Sequence, residues 1–150
     1  MALTGRSCVA LLFALLTASP ALGQASMPAG RVKLVAGMAF VVHEGQRIPV
    51  TVGTPVYEQD SLATGADGRV GLTLRDDTRL SIGPQTTIEI RRFVYAQSDS
   101  QFSFVLNVVR GVVAYVSGRI AKLSPDAVRL ETPSAIIGVR GTRLVIEVGR

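Results

Sequence analysis

Arg69-Val70-Gly71-Leu72-Thr73-Leu74-Arg75-Asp76-Asp77-Thr78-Arg79-Leu80-Ser81-Ile82 decides the fold. Val70, Leu72 and Leu74 alternate with polar or small residues, as do Leu80 and Ile82. A period of two places the apolar set on one face of a strand. Asp76-Asp77 between the two runs reads as a turn. Just upstream, Ala66-Asp67-Gly68-Arg69 reads as a second hairpin turn, because Asp-Gly suits positive φ. Downstream, Ile88 and Ile90 keep the alternation, whereas Phe93 and Tyr95 fall on the opposite parity. A bulge at Arg91-Arg92 would reset the register in that way. Phe102, Phe104, Leu106 and Val108 alternate next, Gly111 divides them from Val112 to Val116, and Leu144, Ile146 and Val148 close the chain.

The same pattern extends toward the start. Arg31 to Ala36, Met38 to His43, Arg47 to Val52 and Val56 to Thr64 read as strands, separated by Gly37, Glu44-Gly45 and Gly53-Thr54-Pro55. Only Gly118 to Leu123 is open between a strand end and one helical turn. About ten to twelve short strands at roughly ten-residue spacing predict an all-β domain, a β-sandwich or jelly roll, with a short β-solenoid as the alternative. The expected core is Val70, Leu72, Leu74, Leu80, Ile82, Ile88, Ile90, Phe102, Phe104, Leu106, Val108, Leu144 and Ile146.

Residues 1–25 read differently. Arg6, the apolar run Cys8 to Leu16 and the small residues Ala18-Ser19-Pro20-Ala21-Leu22-Gly23 form a secretory signal with cleavage near residues 23–26. The run is about half the roughly 20 residues needed to span a bilayer. Cys8 would leave with it, so disulfides, thiolate catalysis and cysteine metal sites are excluded from residues 26–150. The expected location is periplasmic or secreted, with no membrane span after cleavage. Losing Arg6 leaves fifteen basic residues against eleven acidic ones. They are scattered over many strands, which reads first as a solvated arginine-rich surface and argues against nucleic acid; a basic face still suits acidic glycans, lipopolysaccharide or an acidic protein partner.

Chemistry-bearing residues are sparse. His43 is the one histidine and reads as structural or exposed. Asp76-Asp77 reads as a turn former, with a weak calcium site as the sharper alternative. No serine stands in a nucleophile-elbow context. The expectation is no catalytic residue, no cofactor and no metal. Asp60 stands out before Ser61-Leu62-Ala63-Thr64-Gly65, suited to accept backbone N–H bonds or pair with an arginine.

The remaining stretch is Glu131-Thr132-Pro133-Ser134-Ala135-Ile136-Ile137-Gly138-Val139-Arg140-Gly141-Thr142. Pro133 ends the strand from Ala127 to Glu131, since proline gives no N–H to a ladder. A second strand follows from Arg143 to Val148. Gly138 and Gly141 are expected to allow tight backbone packing around Arg140. Its guanidinium has two competing roles. It grips an acidic ligand, or it ties this corner to another loop, with Asp60 as the preferred partner.

Thr132, Pro133, Ala135, Gly138, Val139, Arg140, Gly141 and Thr142 closely resemble the closing motif of FecR domains. Gln59-Asp60-Ser61-Leu62-Ala63-Thr64 resembles an earlier element of that pattern, with Gln59 where glycine is usual. Val70 to Leu74 and Asp76 to Pro84 resemble two more, with Asp77 where glycine is usual. The resemblance covers most of the chain after residue 30, places a FecR-like β domain at residues 26–150, and makes Asp60, Thr64, Thr132, Pro133, Gly138, Arg140, Gly141 and Thr142 a structural signature. It implies a periplasmic domain of the kind found in regulators that receive a signal from an outer-membrane transporter and control a sigma factor. This sequence shows no sigma-binding segment and no spanning helix, so only the exported domain carries over. The expected role is that of a non-enzymatic exported module, a protein-interaction or signal-sensing and scaffold domain acting by edge-strand pairing and loop contacts, with binding of an envelope glycan or peptidoglycan as the alternative and an enzyme as the reading least favoured. The sequence stops soon after the signature, at Gly149-Arg150, so the last sheet is expected either to be short or to be completed by a partner.

Overall fold

The computed structural model describes residues 26–141 and 143–149. The expected leader, its cleavage site and Cys8 lie outside the described residues, as does Thr142. In chain order the elements are β1 (Gly30–Ala36), β2 (Ala39–His43), β3 (Gln46–Pro49), β4 (Pro55–Val56), β5 (Ser61–Thr64), β6 (Arg69–Leu74), β7 (Arg79–Ile82), β8 (Thr87–Ala96) and β9 (Gln101–Val116). A short helix, α1 (Arg119–Leu123), and a 3-10 turn at Pro125–Ala127 follow. β10 (Val128–Glu131), β11 (Ile136–Gly138) and β12 (Arg143–Val148) complete the described chain. The all-β expectation holds, and the ambiguous stretch is the helix.

The strands form a meander of long strands bent in the middle. One half of the sheet runs β4-β1-β6-β7-β9-β12, and the other runs β3-β2-β5-β8-β9-β10-β11. β9 belongs to both. Its first ten residues pair with β8, and its last four pair with β7. Gly111, at φ +92°, stands at the joint, where an added Cβ would lie 2.2 Å from Thr86 Oγ1. Only glycine fits there, because both the φ and the space exclude a side chain. The central strand order is the same in both halves, so the bends stack in a row: residues 37–38, 65–68, 83–86 and 111.

This row corrects one expectation. Asp67-Gly68 makes a turn, but β5 and β6 do not pair with each other; they lie in opposite halves. The turn is an arch from one half to the other. An Asp-Gly pair reports local backbone angles and cannot tell an arch from a hairpin. The arch is fixed by its neighbours: Gly65 N–H donates to Met38 O at 2.8 Å, Gln85 N–H to Gly65 O at 2.9 Å, and Gly83 N–H to Val112 O at 2.9 Å. The Glu44-Gly45 turn does close a hairpin, with both residues at positive φ, and β2 pairs β3 throughout. Arg91 is skipped in the β8–β9 register between Ile90 and Arg92, which is the expected bulge.

One core lies between the halves. Phe104, Leu106 and Val108 from the first part of β9 and Val113 and Tyr115 from the second are fully buried in it. The rings of Phe104 and Tyr115 stack at 6.4 Å, and Phe93 meets Phe104 edge-on at 5.9 Å. All the expected core residues are buried except Phe102 and Leu144, which are part-buried against the same cluster.

Candidate functional site

The signature residues fall into two places. Asp60 and Thr64 are inside. Asp60 sits in the turn between β4 and β5, where Gln59 has φ +71°. Its Oδ2 accepts the Tyr57 N–H at 2.8 Å, and its Oδ1 lies 2.5 Å from His43 Nδ1. The His43 ring packs 4.6 Å from the Tyr57 ring. The hydrogen bond to Asp60 raises the imidazole pKa above its ordinary value; burial opposes the rise, and the charges of Asp60 and Glu44 add to it. Next to Asp60, Glu58 Oε2 accepts the Phe93 N–H at 2.8 Å, which satisfies the amide that follows the bulge.

Asp60 is therefore held by His43 and a backbone amide, and the preferred pairing with Arg140 is not how its carboxylate is satisfied. The histidine signal was legible only as a strand residue near a turn. Its partner lies seventeen residues away, across a register that the sequence does not show. Buried carboxylates need partners, and a half-buried imidazole on the neighbouring strand supplies one.

Thr64 ties the row of bends. Its hydroxyl donates to Gly83 O at 2.7 Å and accepts the Thr86 N–H at 3.0 Å. Thr86, missed in the sequence, extends the chain: its Oγ1 accepts the Val112 N–H at 3.0 Å and donates to Pro84 O at 3.0 Å. Asp76 was also underestimated. It is fully buried, and its carboxylate accepts Thr78 N–H at 3.1 Å, Thr78 Oγ1–H at 2.8 Å and Ile120 N–H at 3.3 Å. It thus caps α1 from another part of the chain, through donors that a helix start leaves open. Gly118 fits only because it lacks a side chain: an added Cβ would come within 2.3 Å of Thr78 N. Asp77 has φ +67° and pairs instead with Arg119 at 3.0 Å, so the two aspartates do not converge on one ligand. Among the described residues no three His, Cys, Asp or Glu side chains gather as a metal site.

Of the other signature residues, Pro133, Gly138, Arg140 and Gly141 lie at the surface and Thr132 is part-buried. β10 pairs β9 in parallel and β11 in antiparallel fashion. Thr132-Pro133-Ser134-Ala135 is the turn between β10 and β11: Thr132 N–H donates to Ala135 O at 2.8 Å, and Ala135 N–H donates to Thr132 Oγ1 at 3.0 Å. This turn, Ile136, Val109, Asn107 and the Arg91–Glu131 ion pair (2.9 Å) line a groove of about 840 Å³. Ile136 is 71% exposed. Gly138 and Arg140 are exposed, while Val139 between them is buried. Here a second expectation fails. An added Cβ at Gly138 or Gly141 would meet nothing within 4 Å, so neither glycine serves close packing. Gly141 serves its backbone angle instead, at φ +45°. Arg140 lines a smaller hollow with Asp126 and Arg129.

Among the described residues β11 pairs only β10. After the closing Thr132–Ala135 bond, antiparallel alternation makes Leu130–Ile137 a hydrogen-bonded pair. Ile136 and Gly138 then turn their N–H and C=O groups away from β10. The signature hairpin thus presents an open strand edge beside a groove, which can accept an added strand.

A family model described as FecR protein matches residues 60–150. No curated protein and no solved structure matches the chain.

Proposed function

The chain belongs to the FecR family, whose domains are envelope-associated and serve signal sensing and regulation, and from that premise we propose that it is an exported, non-enzymatic binding module that takes an extended segment of an envelope protein on β11. Export rests on the pattern of residues 1–25, together with the family's association with the envelope. No helix among the described residues is long and apolar enough to cross a membrane.

The observation that carries the proposal is the open β11 edge with Ile136 standing out beside the groove. Backbone bonds along an edge supply affinity without demanding a particular sequence, and the neighbouring groove selects side chains. Capture from an envelope extract by immobilised protein, followed by mass spectrometry, tests it. Ile136→Lys puts a charge on the edge, a device that blocks strand addition. Because Ile136 is so exposed, stability should stay within about 0.5 kcal/mol. The expected result is a protein partner captured by the natural chain and lost with Ile136→Lys. Equal capture by both would overturn the edge as the site. Co-sedimentation with isolated peptidoglycan, in place of protein capture, would favour a wall polymer as the ligand.

A further inference from the structure

The outer face of the β4-β1-β6-β7-β9-β12 half carries a line of arginines. In register, Arg31 opposes Thr73, Thr73 opposes Arg79, Arg79 opposes Val116, and Val116 opposes Arg143. Side chains paired in register share a face. The next residues inward, Leu74, Leu80 and Tyr115, are buried, so this row points to solvent. Arg31, Arg79 and Arg143 are all exposed. A cation therefore stands on every second strand of five, and two strand spacings make about 10 Å between successive arginines.

These cations have little to neutralise them. Among the described residues none of the three makes an ion pair, and Arg31 donates only to Gly53 O at 3.2 Å. Asp77, in the turn that leads into Arg79, is engaged by Arg119. Glu147 is the acid on the same face of β12, four residues from Arg143. The adjacent row is Leu34, Gly71, Ser81, Ala114 and Val145. Its three middle residues are small, so the face beside the arginines is shallow, with Leu34 and Val145 standing at its ends.

We propose that this face binds a linear acidic polysaccharide laid across the strands, with its carboxylates on Arg31, Arg79 and Arg143. Charge complementarity selects an anion, and guanidinium forks take carboxylates in bidentate fashion. Equal spacing along a straight line suits a polymer whose charge repeats, more than the irregular surface of a folded acidic protein. The row offers no aromatic ring for bases to stack on, which disfavours single-stranded nucleic acid. The surface is separate from the β11 edge and does not depend on it.

Titration calorimetry of the purified protein with polygalacturonate, at low and physiological salt, tests the proposal. The methyl-esterified polymer serves as the neutral control. The expected result is binding of the acid form that weakens as salt rises and no binding of the ester. Arg79→Gln should lower affinity at least tenfold, and Arg79→Lys should restore part of the loss. A variant with Arg92→Gln and Arg110→Gln removes two exposed charges elsewhere and should bind as the natural chain does. Three outcomes would overturn the proposal. They are no binding of the natural chain at low salt, an equal loss in the Arg92/Arg110 variant, or equal affinity for polyglutamate or anionic phospholipid vesicles. The last would leave only a generally basic surface.

Discussion

The row of bends and the β10–β11 hairpin carry the same family signature and treat it in opposite ways. At the bends, Thr64 is buried with its hydroxyl bonded to neighbouring backbone, and in the β4–β5 turn Asp60 is buried with His43 as partner. At the hairpin, Ile136 and Arg140 stand in solvent, and Gly138 and Gly141 have open space where a side chain would go. A polar group inside a protein is expensive unless satisfied, so the first set answers to folding. An apolar residue held out on an open edge contributes little to the monomer's stability. The second set is free to answer to recognition. The two aberrant positions in the family pattern fit this division. Gln59 and Asp77 stand where glycine is usual, and both adopt positive φ. The pattern records a backbone angle there, and this chain meets it with residues that pay a modest strain.

Substitutions should separate the two regions by size of effect. The largest belongs to Asp76→Ala, which orphans three buried donors at roughly 1–3 kcal/mol each; urea unfolding should show a loss of about 3 kcal/mol or more. Gly111→Ala comes next. It combines a left-handed φ with a clash against Thr86, for about 2–4 kcal/mol by the same measurement. His43→Gln should be smaller and should depend on pH. The folded pKa of His43 lies above its unfolded value near 6.5. Its charged contribution is therefore complete below pH 6.5 and fades as pH rises through the folded pKa. Thermal melts should show a larger deficit for His43→Gln at pH 6 than at pH 9. A deficit that grows with pH would contradict the His43–Asp60 pairing. Gly138→Ala should be the mildest, within about 0.5 kcal/mol. A large loss there would erase the contrast between the regions.

The sequence showed the strands well because their apolar parity is local. Val70 to Leu74 and Phe102 to Val108 can be read without knowing their neighbours. It also showed the Arg91-Arg92 bulge, since a reset of parity is written in the order of residues. What it hid was which half of the sheet each strand joins. The Asp67-Gly68 turn has the same local chemistry in an arch as in a hairpin, and the difference lies in Met38, Gln85 and Val112, which are far along the chain. The long-range partners of Asp60, Thr64 and Asp76, which are His43, Gly83 with Thr86, and Ile120, were hidden for the same reason: each of those bonds joins distant parts of the chain. The glycines beside Arg140 suggested crowding, whereas one of them serves an angle and neither meets a neighbour. β11 escaped because three residues are too few for a period to show.

The central claim is that the hairpin half of the signature is a recognition edge and the interior half is not. A photo-crosslinking amino acid placed at Ile136 in the producing cell tests it most directly, with the same group at Ile48 on β3, the far edge of the same half-sheet, as the comparison. The account predicts a crosslinked envelope protein from position 136 and little or none from position 48. Equal products from both positions, or a product from 48 alone, would contradict it.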